Sequence, residues 1–285
     1  MLLHALLHAV KHSLKLFPFL FLIYLVLEAV EHSKRVQAWN KKITEGKFAP
    51  LIAGGVGLIP ECGFSVMSAG LYSKGVIALG TLFTVFLVTS DEGLPVLLAS
   101  PQTAKVVLPV MAIKFVYGVG VGFLLNYVFR HRARARLEHD EEHEFHEHHC
   151  IEQSNVKVYL LNPLLRALKI LAFIFVVSFV MELITDWIGE DRLIAFLGQR
   201  EFLQLFVAPV VGMIPGCGSS IVIATAYQDG ILSFAAMVAG LAVNSGIGLL
   251  VLFRQNKNLK ENLFILLALY ALSVVLGMIL LPFSL

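Results

Sequence analysis

Long apolar segments alternate with short polar stretches along the whole chain. The first half contains five apolar segments in order, over 14–32, 48–59, 64–72, 75–100 and 104–129. A helix needs about 20 apolar residues to cross a bilayer. The three longer segments therefore predict full crossings. The two short ones each reach only about half of a ~30 Å hydrocarbon core.

The two short segments meet at a sequence that interrupts the helical pattern, and the second half contains the same arrangement. Residues 57–63 are Gly-Leu-Ile-Pro-Glu-Cys-Gly and residues 212–218 are Gly-Met-Ile-Pro-Gly-Cys-Gly, identical at five of seven positions. Proline removes a helix hydrogen bond, and glycine tolerates unusual backbone shapes. We predict a re-entrant hairpin, or two short helices, at each motif. A pair of purely structural kinks is the alternative.

The second half repeats the first at an offset of 154 residues over the first span, where Glu28 matches Glu182, and of 155 residues after a one-residue insertion. The matches outside the motif include Tyr72 with Tyr227, Gly75 with Gly230, Ser90 with Ser245, Gly93 with Gly248, Lys105 with Lys260 and Gly122 with Gly277. Sustained register of this kind indicates an internal duplication. We predict an amphipathic segment over 1–13 with three histidines on one face, repeat 1 over 14–129, a linker over 130–161 and repeat 2 over 162–285.

Three crossings per repeat require the second repeat to insert upside down relative to the first. Charge supports this inversion: with the N-terminus outside, sixteen Lys and Arg residues fall on the cytoplasmic side and five on the outer side. That is the bias of the positive-inside rule. We expect an all-α polytopic protein of the plasma or inner membrane, with two inverted-topology repeats, both termini outside and a cytoplasmic linker.

Composition agrees with this class and excludes others. Hydrophobic residues form 58% of the chain, and the mean hydropathy is +0.80. The first residues lack a basic start and a cleavage site, so we expect no cleaved signal peptide. No P-loop and no HExxH motif occurs, and none of the ten histidines lies well within a span. We therefore expect neither an enzyme nor an ATP-driven motor. The bilayer and a metal ion are the expected partners, with no nucleic acid, and a homo-oligomer is compatible with the pattern.

Carboxylates lie at the breaks of the first half only. Asp91-Glu-Gly-Leu-Pro95 interrupts the span over 75–100, and Glu61 lies in the first motif. Buried charges in a membrane are costly and mark functional sites. Their mates in the second half are uncharged, whereas Thr89 corresponds to Asn244. We predict a substrate site formed by Pro60, Glu61, Cys62, Gly63, Asp91, Glu92, Pro215, Cys217, Gly218, Ser219, Ser220, Asn244 and Ser245.

Two kinds of metal ligand occur in this set. Oxygen ligands from Glu61, Asp91, Glu92 and Asn244 suit a hard divalent cation such as manganese. The thiols of Cys62 and Cys217 suit cadmium, zinc or trivalent arsenic. In the alternative interpretation, these small cysteines only allow close packing.

Lys114 is a charged residue halfway along a predicted span. We hypothesise that it pairs with Asp91 and Glu92 until a cation or proton exchange displaces it, which would couple the two. Snorkelling to the interface is the alternative. Glu28 and Glu182 are repeat-related and lie near span ends, where they either line an access path or cap a helix.

The linker opens with four arginines and continues into an acidic, histidine-rich tract. A transient auxiliary metal site and a solvated tether are both compatible with this composition. Its spacing lacks the order of a zinc finger. The candidate ligands are His139, His143, His146, His148, His149 and Cys150.

The paired Gly-x-Ile-Pro-x-Cys-Gly segments, with Thr89-Ser-Asp-Glu-Gly-Leu-Pro95, resemble the ten-helix heavy-metal exporters. That family is also described as manganese transporters or arsenic-efflux-type permeases. The resemblance covers essentially the whole chain. It implies ten helices, if each hairpin arm is counted, and a substrate region at Pro60, Cys62, Gly63, Asp91, Glu92, Pro215, Cys217 and Gly218.

We therefore expect a secondary active transporter that exports a divalent heavy metal, manganese above all, through a midplane site, in exchange for protons. No resident cofactor is expected. Efflux of arsenite, an organoarsenical or a soft metal through Cys62 and Cys217 is the alternative. A carrier of organic anions or lipid headgroups is a third, because opposed helix N-termini suit an anion.

Overall fold

The structure is a computed structural model. It describes residues 48–59, 62–89, 93–129 and 201–283, with three further helical positions at 168, 172 and 176. The predicted N-terminal segment over 1–13, the span over 14–32 and the linker over 130–161 lie outside the described residues.

Ten α-helices occupy these ranges, five in each half. In the first half they are α1 (Ala49–Gly57), α2 (Cys62–Ser73), α3 (Leu79–Val88), α4 (Gly93–Ala99) and α5 (Ala104–Val128). In the second half they are α6 (Glu201–Gly212), α7 (Cys217–Gln228), α8 (Phe234–Val243), α9 (Gly248–Gln255) and α10 (Leu259–Leu280), followed by a 3-10 turn over Leu281–Phe283. Helices α2 to α5 each begin 155 residues before α7 to α10, so the helix starts keep the register of the sequence repeat.

Four stretches within the described ranges are long and apolar enough to cross a membrane. They are Leu79–Ala99, Ala104–Val128, Phe234–Gln255 and Leu259–Leu280. Two of these are the continuous helices α5 and α10. The other two combine α3 with α4 and α8 with α9, and each is broken in its interior. This is the architecture of a polytopic helical membrane protein. Within the described ranges, the flanking α1, α2, α6 and α7 have 9 to 12 residues, fewer than the ~20 that a crossing needs.

Helix boundaries differ slightly from those predicted by the apolar pattern. The pattern placed the start of the third helix at Gly75, but Gly75 adopts a left-handed turn with φ of +72° and α3 begins only at Leu79. Gly230 repeats this turn with φ of +70° ahead of α8. The apolar pattern did not indicate this turn, because glycine and its apolar neighbours do not lower the hydropathy of the segment. In the hairpin, α2 begins at Cys62, two residues before the predicted Phe64.

Helices α3 and α8 form the centre of the fold. Their residues from Gly80 to Val88 and from Ala235 to Val243 are all buried. Helix α3 packs between α1 and α5, and α8 packs in the same way between α6 and α10. The outer helices α5 and α10 instead expose large apolar side chains, which suits a surface surrounded by lipid.

The two halves are joined by an exchange of short helices. Helix α2 of the first half packs on α9 of the second, and α7 of the second half packs on α4 of the first. Because α2 corresponds to α7 and α4 to α9, the two contacts are equivalent. The broken span of each half is therefore packed against a short hairpin helix of the other half.

Candidate substrate site at the paired helix breaks

The candidate site lies where the two central spans are interrupted. Thr89, the residue after α3, has ψ of 133°, and Asn244, the residue after α8, has ψ of 95°. Neither value continues a helix. The carbonyls of each last helical turn therefore need other partners. Inside a membrane such partners must come from protein or from a water-filled cavity.

Lys114 of α5 supplies these partners for both breaks. Its Nζ donates to the carbonyl oxygen of Thr89 at 2.8 Å and to that of Leu241, in the last turn of α8, at 2.8 Å. The side chain is only 1% exposed. An ammonium is well placed there, because helix C-termini carry partial negative charge. Since one nitrogen contacts both carbonyls, the two breaks lie side by side.

These contacts bear on the predicted pairing of Lys114 with acidic residues. Asp91 and Glu92 lie outside the described residues, but Thr89 is only two positions from Asp91. The ammonium therefore lies at the predicted break. The alternative, snorkelling to the interface, does not fit a side chain buried between α3 and α8.

A neutral hydrogen-bond network lies at the second break. The Asn244 Nδ2 donates to the Ser219 Oγ at 3.1 Å, and the Gly246 N–H donates to the Asn244 Oδ1 at 2.8 Å. The Ser219 hydroxyl in turn donates to the carbonyl of Ile214 at 2.9 Å, with that of Gly216 3.1 Å away. The network thus links the loop of the second hairpin to the break between α8 and α9. Asn244 and Ser219 are both buried.

Glycine at the first position of α4 and α9 lets the halves interlock. A Cβ on Gly248 would lie 2.7 Å from the Cβ of Ser65 on α2, and a Cβ on Gly93 would lie 3.0 Å from the Ser220 carbonyl on α7. Ser65 and Ser220 are themselves 155 residues apart. The same close approach of a glycine to a serine therefore occurs at both breaks. In each case the glycine belongs to one half and the serine to the other.

The structure brings together the hydroxyl and amide members of the predicted site. Ser219, Ser220, Asn244, Ser245 and Gly63 are buried, and Pro215 and Gly218 are partly exposed. Cys62 and Cys217 are the first residues of α2 and α7. The other predicted residues lie outside the part that the structure describes: Glu28, Pro60, Glu61, Asp91, Glu92, Glu182, His139, His143, His146, His148, His149 and Cys150. Among the described side chains, no group of three or more His, Cys, Asp or Glu residues could hold a metal ion.

Some polar contacts between the halves were not predicted from the sequence. The Tyr117 hydroxyl on α5 donates to the carbonyl of Leu272 on α10 at 2.6 Å. Tyr117 and Leu272 are mates in the repeat, so this bond joins equivalent positions. The sequence feature that could have indicated this bond is a tyrosine within an apolar span. The Tyr72 hydroxyl donates to the Glu261 carboxylate, although nothing in the sequence pairs these residues.

Comparison with known proteins identifies a protein family for this chain. A protein-family model described as "Putative, 10TM heavy-metal exporter" matches residues 15–185 and 167–284. The chain belongs to this family. The predicted resemblance is thereby confirmed over nearly the full length. No curated protein and no solved structure matches the chain.

Membership of the heavy-metal exporter family agrees with the architecture. The part of the chain that the structure describes contains four apolar spans, two of them broken, as in a multi-pass membrane protein. The family is one of transporters and not one of enzymes.

Proposed function

We propose that this family member is a secondary active exporter of a divalent heavy metal, with manganese as its substrate. The observation that carries the proposal is the position of Lys114, a buried ammonium shared by the two interrupted spans. A charge at that depth is costly, and ionisable residues inside the membrane mark functional sites such as ion and proton pathways.

The same contacts support an inverted arrangement of the two repeats. Equivalent broken spans meet at Lys114, and the short helices are exchanged reciprocally between the halves. Charge bias places the C-terminal ends of α2 and α9 on the cytoplasmic side and those of α4 and α7 on the outer side. The packing of α2 on α9 and of α7 on α4 agrees with both placements. We propose that both termini face outward, and that the linker with its histidines captures metal at the cytoplasmic face of the plasma or inner membrane.

The proposed site provides mostly oxygen ligands. Asp91 and Glu92, with Glu61 from the first hairpin, would supply carboxylates, and the second break adds the amide of Asn244. A hard divalent cation prefers such oxygen ligands. The charge would come from one half and the neutral ligands from the other.

Lys114 would couple the cation to a proton. With the site empty, the ammonium balances the carboxylates and hydrogen-bonds the ends of α3 and α8. A bound divalent cation repels it, so Lys114 must move away or release its proton. Moving away frees the carbonyls of Thr89 and Leu241, and losing the proton weakens both hydrogen bonds, so either change alters the packing of the two breaks.

One observation favours the alternative substrate, a soft metal or arsenite. Cys62 and Cys217 occupy the same first position of α2 and α7. Helix N-termini favour anionic groups such as thiolates. Thiols at these two equivalent helix ends could therefore serve as ligands of a soft ion, and the same helix ends could bind an organic anion.

Transport into everted vesicles discriminates between these substrates. Manganese, zinc, cadmium and arsenite would be offered to the wild type, to the double variant Asp91→Asn/Glu92→Gln and to Cys62→Ser/Cys217→Ser. We expect manganese uptake that is lost in the carboxylate variant and kept in the cysteine variant. Asp229→Asn, which removes an exposed carboxylate just after α7, is the matched control and should transport normally.

The opposite pattern would overturn the manganese assignment. Uptake of arsenite or cadmium that depends on the two cysteines would make the protein a soft-metal exporter. Uptake of none of the four substrates by a folded protein would favour the anion carrier.

A further inference from the structure

Two polar contacts between the halves lie at the far ends of the exchanged short helices. The first joins the C-terminal end of α2 to the start of α10. The Tyr72 hydroxyl donates to one Glu261 carboxylate oxygen, and the Asn256 Nδ2 donates to the other at 3.3 Å. Tyr72 is 3% exposed, so the phenol is buried at this contact.

The second contact joins the C-terminal end of α7 to the end of α4 and the start of α5. The Gln228 Nε2 donates to the carbonyl of Val96 at 2.8 Å and to the Thr103 Oγ1 at 3.2 Å. The Thr103 hydroxyl itself donates to the carbonyl of Leu97 at 2.8 Å. This contact therefore fixes the short helix α4 to the turn that leads into α5.

The two contacts lie at the ends of equivalent helices, but they are made by different residues and differ in chemistry: Tyr72 corresponds to Tyr227 and Glu261 to Val106. Each one starts from the last turn of the second hairpin helix. The first reaches Glu261 in α10, after the broken span of the other half, and the second reaches Val96 within α4 and Thr103 just before α5. One is held by a carboxylate, the other by an amide and a hydroxyl. Hydrogen bonds to a charged group are roughly twice as strong as neutral ones.

The contacts also lie on opposite sides of the proposed membrane. Lys74 and Lys257 flank the Glu261 contact and belong to the cytoplasmic set of basic residues. Lys105 and Asp229 flank the Gln228 contact on the outer side. The helix breaks and Lys114 lie between the two contacts along the broken spans.

We infer that these contacts are the two gates of the transport path and that Tyr72, Glu261 and Gln228 are positioning residues for alternating access. The inference rests on the proposed function, because it assumes a transported substrate at the breaks. Opening the cytoplasmic gate separates Tyr72 from Glu261. Opening the outer gate separates Gln228 from Val96 and Thr103. Because the cytoplasmic gate is held by a carboxylate, the resting protein favours the state closed to the cytoplasm.

Labelling of the native hairpin cysteines tests the gates without requiring transport. In a Cys150→Ser background, a membrane-impermeant maleimide would be applied from the outside to intact cells and from the cytoplasmic side to everted vesicles. Cys62 and Cys217 begin α2 and α7 next to the breaks, so their labelling rates report access from each side.

We expect opposite shifts for the two gates. Glu261→Gln and Tyr72→Phe should each raise labelling from the cytoplasmic side about ten-fold and leave outside labelling unchanged or lower. Gln228→Leu should raise labelling from outside about three-fold. The exposed neighbours Lys257→Gln and Asp229→Asn are the matched controls and should change neither rate.

Three outcomes would overturn the gate assignment: no change in either rate, an increase from the same side for both contacts, or an increase from both sides at once. The last result would indicate general loosening of the fold. If the vesicles carry none of the tested metals while the labelling shifts as expected, the gates stand and the assignment of the substrate fails.

Discussion

The two halves of the protein make the same break in a central span and stabilise it with different chemistry. In the first half, the ammonium of Lys114 hydrogen-bonds the carbonyl that ends α3 and reaches across to α8. In the second half, the position equivalent to Lys114 is Leu269, which is fully buried. There the amide of Asn244 and the hydroxyl of Ser219 hold the break.

This difference shows which part of a duplicated site is free to diverge. The backbone arrangement is kept in both halves, because each half must fit against the other through Gly93 and Gly248. The ammonium is present only in the first half, because Leu269 occupies the position equivalent to Lys114 in the second half. A second ammonium at Leu269 would be a second buried charge in the same interior, and like charges in a low-dielectric interior repel strongly. One charged half and one neutral half therefore suit a single cation site between them.

The largest effect is expected from removing the charge of the first half. Lys114→Met keeps the bulk but leaves the carbonyls of Thr89 and Leu241 without these two hydrogen bonds. Each charge-assisted bond contributes about 1.5–3 kcal/mol. We expect export to fall at least about 100-fold, measured as initial rates in everted vesicles.

Lys105→Met is the matched control for this variant. It makes the same substitution on the same helix, at an exposed position, and should transport normally. Wild-type rates in Lys114→Met would show that the ammonium is structural or dispensable, and the proposed difference between the halves would be lost.

A smaller effect is expected from disrupting the neutral half. Asn244→Ala removes the donor to Ser219 and the acceptor for the Gly246 N–H, both at a buried position. We expect a loss of about 2–3 kcal/mol in stability, seen as a lower midpoint of thermal unfolding in detergent. Asn244→Asp keeps an acceptor for Gly246 and should recover part of the loss. Equal stability of the alanine variant and the wild type would contradict a holding role for the network.

The smallest effects are expected at the glycines that interlock the halves. Gly248→Ala would place its Cβ 2.7 Å from the Ser65 Cβ, whereas the nearest atoms to a Cβ on Gly93 lie at 3.0 Å. Overpacking of this kind costs about 1–3 kcal/mol. We expect both variants to melt below the wild type, with Gly248→Ala the less stable. Gly120→Ala, where a Cβ meets nothing within 4 Å, is the control and should be neutral or stabilising. The reverse order would show that the closeness of these approaches does not determine the loss of stability.

The sequence predicted the positions of the breaks well, because glycine and proline act locally on the backbone. The middle of each motif falls between helices, and an interruption separates α3 from α4 as expected. The predicted break over 91–95 is too long, because α4 begins at Gly93 and accommodates Pro95 in its first turn, where proline is tolerated. Lys114 was identified for the same reason, as a charge in an apolar span. Its carbonyl partners were not, since they lie 25 and 127 residues away and only helix packing brings them together. The Tyr72–Glu261 contact has the same origin, which is why no local pattern indicated it.

Equilibrium binding of Mn²⁺ to the purified protein in detergent tests the proposed cation site between the halves most directly. The wild type, Asp91→Asn/Glu92→Gln and Lys114→Met would be compared. We expect saturable binding by the wild type and loss of binding in the carboxylate variant. Lys114→Met, which lacks the competing ammonium, should bind Mn²⁺ more tightly even though it exports poorly. Unchanged or weaker binding by a folded Lys114→Met protein would show that Lys114 and the cation do not compete at the breaks.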